Sequence, residues 1–161
     1  MKKNVVSLCL LLFIAGCSNG EQTEPSNKIS SHNFLPPPVH FQIEDTTYTT
    51  EQGSYCWRNV NSAECLSVPS PTEIVESTEP IKVTKKKTIS ILTLRPPSQQ
   101  TLTITNADSN QSEEFTINKE NKFKAPDTEG VYIIAYYAIW EKDDSGTSGD
   151  STFVFKIEVD K

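Results

Sequence analysis

The residues with chemical potential in this chain are few: four cysteines (Cys9, Cys17, Cys56 and Cys65), two histidines (His32 and His40) and 21 acidic side chains among 161 residues. Zinc takes thiolate and imidazole ligands, and Cys56, Cys65, His32 and His40 make a candidate set of four, but their spacing matches no zinc framework. Nucleophilic catalysis has no foothold either. There is no Gly-x-Ser-x-Gly turn, no His-Glu-x-x-His and no glycine loop to cradle a phosphate. One catalytic route stays open, a pair of carboxylates brought together in space for acid and base work. The expectation is therefore no catalytic residue, no metal and no cofactor, with a carboxylate-based envelope hydrolase as the rival class.

Charge narrows the partners. With 15 basic against 21 acidic residues the formal net charge is −6, and the largest basic cluster is Lys85, Lys86 and Lys87. A phosphate backbone is repelled by such a chain, so nucleic acid is excluded as a partner. The three lysines fall in a predicted turn, where solvation is the default and contact with an anionic wall polymer the alternative. The run from Asp143 to Asp150, DDSGTSGD, carries three carboxylates but lacks the Asp-x-Asp-x-Asp order of a calcium loop, so it reads as a mobile hairpin tip.

The N-terminus says where such a protein works. Lys2 and Lys3 precede an apolar run of ten residues, 5–14, the length of a signal-peptide core and too short to span a bilayer. The run ends in Ile14-Ala15-Gly16-Cys17, which resembles the lipobox of bacterial lipoproteins: an aliphatic residue, two small residues and a cysteine. The resemblance implies that residues 1–16 are removed and that Cys17 becomes an acylated N-terminus, seated in the cell membrane and facing its extracytoplasmic side. A secretory signal cut by the ordinary peptidase, or an uncleaved anchor, is the alternative. Two or three acyl chains suffice for stable anchoring. Losing Lys2 and Lys3 takes the formal charge from −6 to −8, so the lipid bilayer partner is held through Cys17 and not through charge.

With Cys9 in the signal core and Cys17 as the lipid site, Cys56 and Cys65 remain. In an oxidising compartment they are expected to form a disulfide around the intervening loop, with zinc as the rival reading. Tyr55 and Trp57 lie on one side of an extended segment and are expected to pack beside the cystine; Trp57 is also carried as a candidate ligand platform. The stretch Gly53-Ser-Tyr-Cys-Trp57, with Cys65 and Ser70-Pro-Thr-Glu73, resembles a segment of uncharacterised exported proteins of Bacillus-type bacteria, and this resemblance implies no activity.

The elements that must position these residues begin after a polar stretch. Residues 18–38 have few apolar side chains and no period, and end in Pro36, Pro37 and Pro38; they read as a disordered tether with a stiff polyproline II exit that lifts the domain off the bilayer. His32 sits in it as a spacer residue. Residues 39–80 read as a hairpin (39–43 and 46–50), the disulfide loop and a short helix opened by the Ser70 capping box, together packed on the domain that follows. Residues 81–161 carry seven predicted strands, 81–84, 88–95, 101–105, 114–118, 121–125, 130–141 and 151–159, with a bulge near Ile91. Seven short strands at this spacing give an all-β sandwich. The approach Phe123-Lys-Ala-Pro-Asp-Thr-Glu-Gly130-Val-Tyr132 resembles that of immunoglobulin-like domains, which implies a tyrosine corner at Tyr132. The Asp stands three residues before the glycine instead of two, and Ile134 takes the place of the core cysteine.

Strand 130–141 is apolar on both faces, whereas a sandwich strand ordinarily buries one. Internal cover by residues 39–77 is the expected reason; failing that, Tyr137 and Ile139 mark a binding patch. The functional expectation is a membrane-anchored extracytoplasmic lipoprotein that binds or assists a protein or cell-envelope component, with the hydrolase and a surface lipoprotein without a dedicated ligand as alternatives.

Overall fold

The computed structural model describes residues 35–117 and 119–160, so Cys9, Cys17, His32, the lipobox and the tether up to residue 34 lie outside the described residues. Two β-sheets face one another. In β1 (Val39–Ile43) the alternation VHFQI puts Val39, Phe41 and Ile43 into the core, and a turn with Glu44 at φ 53° returns the chain as β2 (Thr46–Thr49). β1 also pairs with β6 (Thr88–Thr93), and β6 with β9 (Lys122–Lys124), giving the order β2-β1-β6-β9.

The larger sheet is ordered β4-β3-β11-β10-β7-β8, with β3 (Glu51–Arg58), β4 (Ala63–Leu66), β7 (Gln99–Asn106), β8 (Ser112–Thr116), β10 (Gly130–Trp140) and β11 (Ser148–Asp160) all antiparallel to their neighbours. β5 (Ile81–Thr84) runs parallel to the last residues of β11, while β3 pairs with its first half, so β3 and β5 share one side of β11 end to end. The run β11-β10-β7-β8 has the GFCC′ order of immunoglobulin-like sandwiches. Phe41 from the small sheet stacks on Phe155 from the large one at 3.8 Å between ring centroids, and Ile89, Leu102, Ile134, Tyr136, Trp140 and Phe153 complete a dry core. At the Gly130 corner the Tyr132 hydroxyl donates to the Thr128 carbonyl at 3.2 Å and meets the Thr128 hydroxyl at 2.5 Å, the bond back to the upstream backbone that a tyrosine corner makes.

Four sequence expectations change. Residues 39–80 are no added layer, because β1 and β3 are hydrogen-bonded into the two sheets themselves. The segment between the cysteines is not an open loop: β3 and β4 form a hairpin whose tight turn is closed by the Asn59 side chain, which accepts from the amides of Asn61 and Ser62. There is no bulge at Ile91, since β1 and β6 stay in register from Val39 opposite Thr93 to Ile43 opposite Ile89. Leu92 and Leu94 are simply left on the outside. The register shift lies between β3 and β11: the two steps from Ser151 to Phe153 face three from Tyr55 to Gln52, so the extra residue is on β3, where Gly53 passes so close that a Cβ there would stand 2.9 Å from Thr152 Cβ. Finally, Pro36 is buried and Pro37 half-buried, so these two prolines pack on the domain while Pro38 is exposed.

The registers define two ends. At the proximal end the chain enters β1, and the β3–β4, β6–β7 and β10–β11 connections gather there. The β1–β2, β5–β6, β7–β8 and β9–β10 turns form the distal end.

Candidate functional site

The sequence of β10, GVYIIAYYAIW, dictates two apolar faces, and the structure treats them differently. Tyr132, Ile134, Tyr136, Ala138 and Trp140 enter the core. On the outer face Ile133 is buried by an element outside the sheet. Ser70 caps α1 (Pro71–Ile74): its hydroxyl accepts from the Glu73 amide while the Glu73 carboxylate accepts from the Ser70 amide at 2.9 Å, with Pro71 preset for the first turn. The helix is short, as expected, and it delivers Val75, wholly buried, onto Ile133 and Val154. Internal cover therefore reaches half of the face. Further along β10, Tyr137 is 37% exposed and Ile139 half-buried.

The register places Tyr137 in a row that runs Thr152, Tyr137, Thr101, Thr116 across β11, β10, β7 and β8. The next row toward the proximal end holds Cys56, Asp150, Ile139 and Gln99. Partial burial, then the nearby Asp150 charge and a hydrogen bond to that carboxylate, raise the Tyr137 hydroxyl above its ordinary pKa of 10.0. The phenol therefore stays protonated and donates to Asp150. Such a face can present apolar area and hydrogen-bonding groups to a flat partner.

The other predicted residues are placed elsewhere. Cys56 and Cys65 stand directly opposite one another in the β3–β4 hairpin and are joined by a disulfide, which removes both thiols from any zinc set. His40 lies on the outer side of β1 opposite Thr49 and Leu92, and among the described residues no three His, Cys, Asp or Glu side chains converge as a metal site. Trp57 is not a ligand platform. It is 3% exposed because alternation along β3 turns Tyr55 and Trp57 inward and Cys56 outward, so the aromatic pair sits on the opposite side of the hairpin from the cystine. Lys85, Lys86 and Lys87 are each matched to a carboxylate, of Glu129, Asp127 and Glu44 respectively, and form no free cationic patch.

The β10–β11 tip is tied down where mobility was expected. Asp143 accepts from the Ser145 hydroxyl at 2.6 Å and the Thr147 amide at 2.9 Å and lies 3.1 Å from the Arg95 guanidinium; these three, in that order, lower its pKa. Arg95 also donates to the carbonyls of Glu141 and Thr147 and lies 5.6 Å over the Trp57 ring. Trp140 donates its indole N–H to the Arg95 carbonyl and meets Trp57 edge-on at 5.4 Å. Gly149 is required beside them, since a side chain there would strike the Cys56 carbonyl and the Trp57 ring. This clasp was not read from the sequence. Its only signal was that one of two arginines stood before Pro96-Pro97, with one of two tryptophans ending the longest apolar run.

Fold and face together define an all-β, disulfide-stapled sandwich with one half-covered sheet surface. No helix among the described residues is long and apolar enough to cross a membrane. Compared with known proteins, the chain matches no family model and no curated sequence.

Proposed function

We propose that this chain is an extracytoplasmic lipoprotein, fixed to the cell membrane through an acylated Cys17, whose sandwich serves as a binding or accessory module for a protein or cell-envelope component. The observation that carries the binding role is the uncovered part of the β10 outer face. Tyr137 and Ile139 stay accessible beside Thr101 and Thr152 although α1 covers the same face a few residues away. A sheet surface that needed only burial would have been covered along its length.

The hydrolase reading finds less support. A general acid needs a carboxyl held above its ordinary range, and the displaced carboxyls of Glu44, Glu73 and Asp143 are all lowered, by Lys87, by Ser70 and by Ser145 with Thr147. The experiment is photocrosslinking in intact cells. A benzophenone side chain at position 137 captures one reproducible partner, identified by mass spectrometry, whereas the same group at Asp108 in the distal β7–β8 turn does not. Equal capture at both positions, or none at 137, rejects the binding face.

A further inference from the structure

We infer that the proximal end of the sandwich docks on the lipid bilayer itself, so that the domain stands end-on upon the membrane and its distal end faces outward. This deepens the lipoprotein reading and rests on it for the tether.

The first observation is where the apolar surface lies. Leu94, in the β6–β7 connection, is 90% exposed, and Val60, at the tip of the β3–β4 hairpin, is 71% exposed. Leu35, half exposed, is the first described residue and leads into β1 at the same end. Registers and hydrogen bonds place the three at one end of the sandwich. β1 and β6 meet at Val39 opposite Thr93, which sets the chain before β1 beside Leu94. Arg95 ties that connection to the β10–β11 turn, and a Cβ on Gly146 of that turn would meet Val60 Cγ1 at 2.5 Å. Aliphatic side chains at three neighbouring loop positions do nothing for the core, and each can leave water by entering the acyl boundary of a bilayer.

The second observation is the contrast with the distal end. There the turns carry Lys85, Lys86 and Lys87 against Glu129, Asp127 and Glu44, and among their described residues they expose no large apolar side chain; the nearest, Phe115, lies within the edge strand β8. The third is the attachment point. Seventeen residues separate Cys17 from Leu35, a reach of at most about 60 Å even if fully extended. The chain joins the domain at its apolar end, and Pro36 is buried there. Tethering keeps the local concentration of bilayer high, so a small apolar patch suffices. Charge gives no drive: around this end Arg58, Arg95, Lys142 and, in the β8–β9 connection, Lys119 are met by Glu64, Glu120, Glu141, Asp143 and Asp144. Docking therefore needs no anionic lipid.

The test is hydrogen exchange on the full chain, expressed with its own leader, recovered from cells and held on phosphatidylcholine vesicles. The mass of the recovered protein reports acylation of Cys17 separately. A chain found without acyl groups is coupled through Cys17 to a maleimide lipid, so that docking is read whether or not the lipoprotein reading survives. Amides at 59–62 and those of Leu94, Arg95 and Ser98 exchange about tenfold more slowly on vesicles than in detergent-free solution, while those at 85–87 and 107–111 do not change. Val60→Glu with Leu94→Glu restores fast exchange at both proximal loops, and an unchanged near-ultraviolet circular dichroism spectrum shows that this variant is folded. Equal exchange at the proximal loops on and off vesicles, protection of both ends alike, protection that survives the double substitution, or a requirement for phosphatidylglycerol each overturns the inference.

Discussion

The two ends of the sandwich are built from different physics. At the proximal end Trp57, Trp140 and Arg95 interlock beneath a disulfide hairpin, with rings buried and guanidinium bonds aimed at backbone carbonyls. At the distal end three lysines meet three carboxylates in the open, where side chains are a third to two thirds exposed and water screens the attraction. The proximal connections are thus held by buried rings and a disulfide, and the distal turns by exposed ion pairs together with the Tyr132 corner. The charged end contributes solubility and leaves the face around Tyr137 between the two.

Substitutions that cut the clasp are expected to separate the ends most sharply. Trp140→Ala removes a buried indole in contact with Trp57 and Phe153 and is expected to cost about 3–5 kcal/mol in urea unfolding. Replacing Cys56 and Cys65 together by serine releases a short closed loop and is expected to cost about 2–3 kcal/mol, a loss that reduction of the native chain reproduces. A smaller effect depends on pH. The Asp143 carboxyl titrates below its ordinary 3.8 when folded, so its stabilisation is complete above that value and is lost as pH falls through the lower, folded-state value. Asp143→Asn therefore lowers the melting temperature at pH 7 and leaves it nearly unchanged at the acid limit of the folded range. The smallest change belongs to the distal end: converting Lys85, Lys86 and Lys87 to alanine shifts the melting temperature slightly at low ionic strength and not at all in 1 M salt. A distal loss as large as that of Trp140→Ala would erase the distinction between the ends.

Much of the fold was legible because its strongest signals are local. Phe153, Phe155, Ile157 and Val159 alternate without interruption and β11 formed there, with three further residues before Ser151 that Gly149 and Asp150 disguised as a turn. The Ser70 capping box set the start of α1, but its end came from Val75 docking on Ile133, a contact no local pattern encodes. β3 and β4 were harder. EQGSYCWR mixes glycine and polar residues, and β4 is exposed throughout, so only their pairing with β11 and with each other shows them as strands. The bulge expected near Ile91 is absent because Leu92 and Leu94 are left outside, which a sequence cannot show. For the candidate site, the double apolar face of β10 pointed to Tyr137 and Ile139. The flanking threonines come from three other strands and emerge only with the register.

The proposed attachment at Cys17 is tested most directly by metabolic labelling with an alkyne palmitate analogue. Incorporation into the wild-type protein, its loss in Cys17→Ser, and recovery of the labelled protein in the membrane fraction with the domain accessible to external protease are the expected results. An unlabelled protein found among soluble intracellular material would contradict the anchoring, and with it the compartment and the orientation drawn from it.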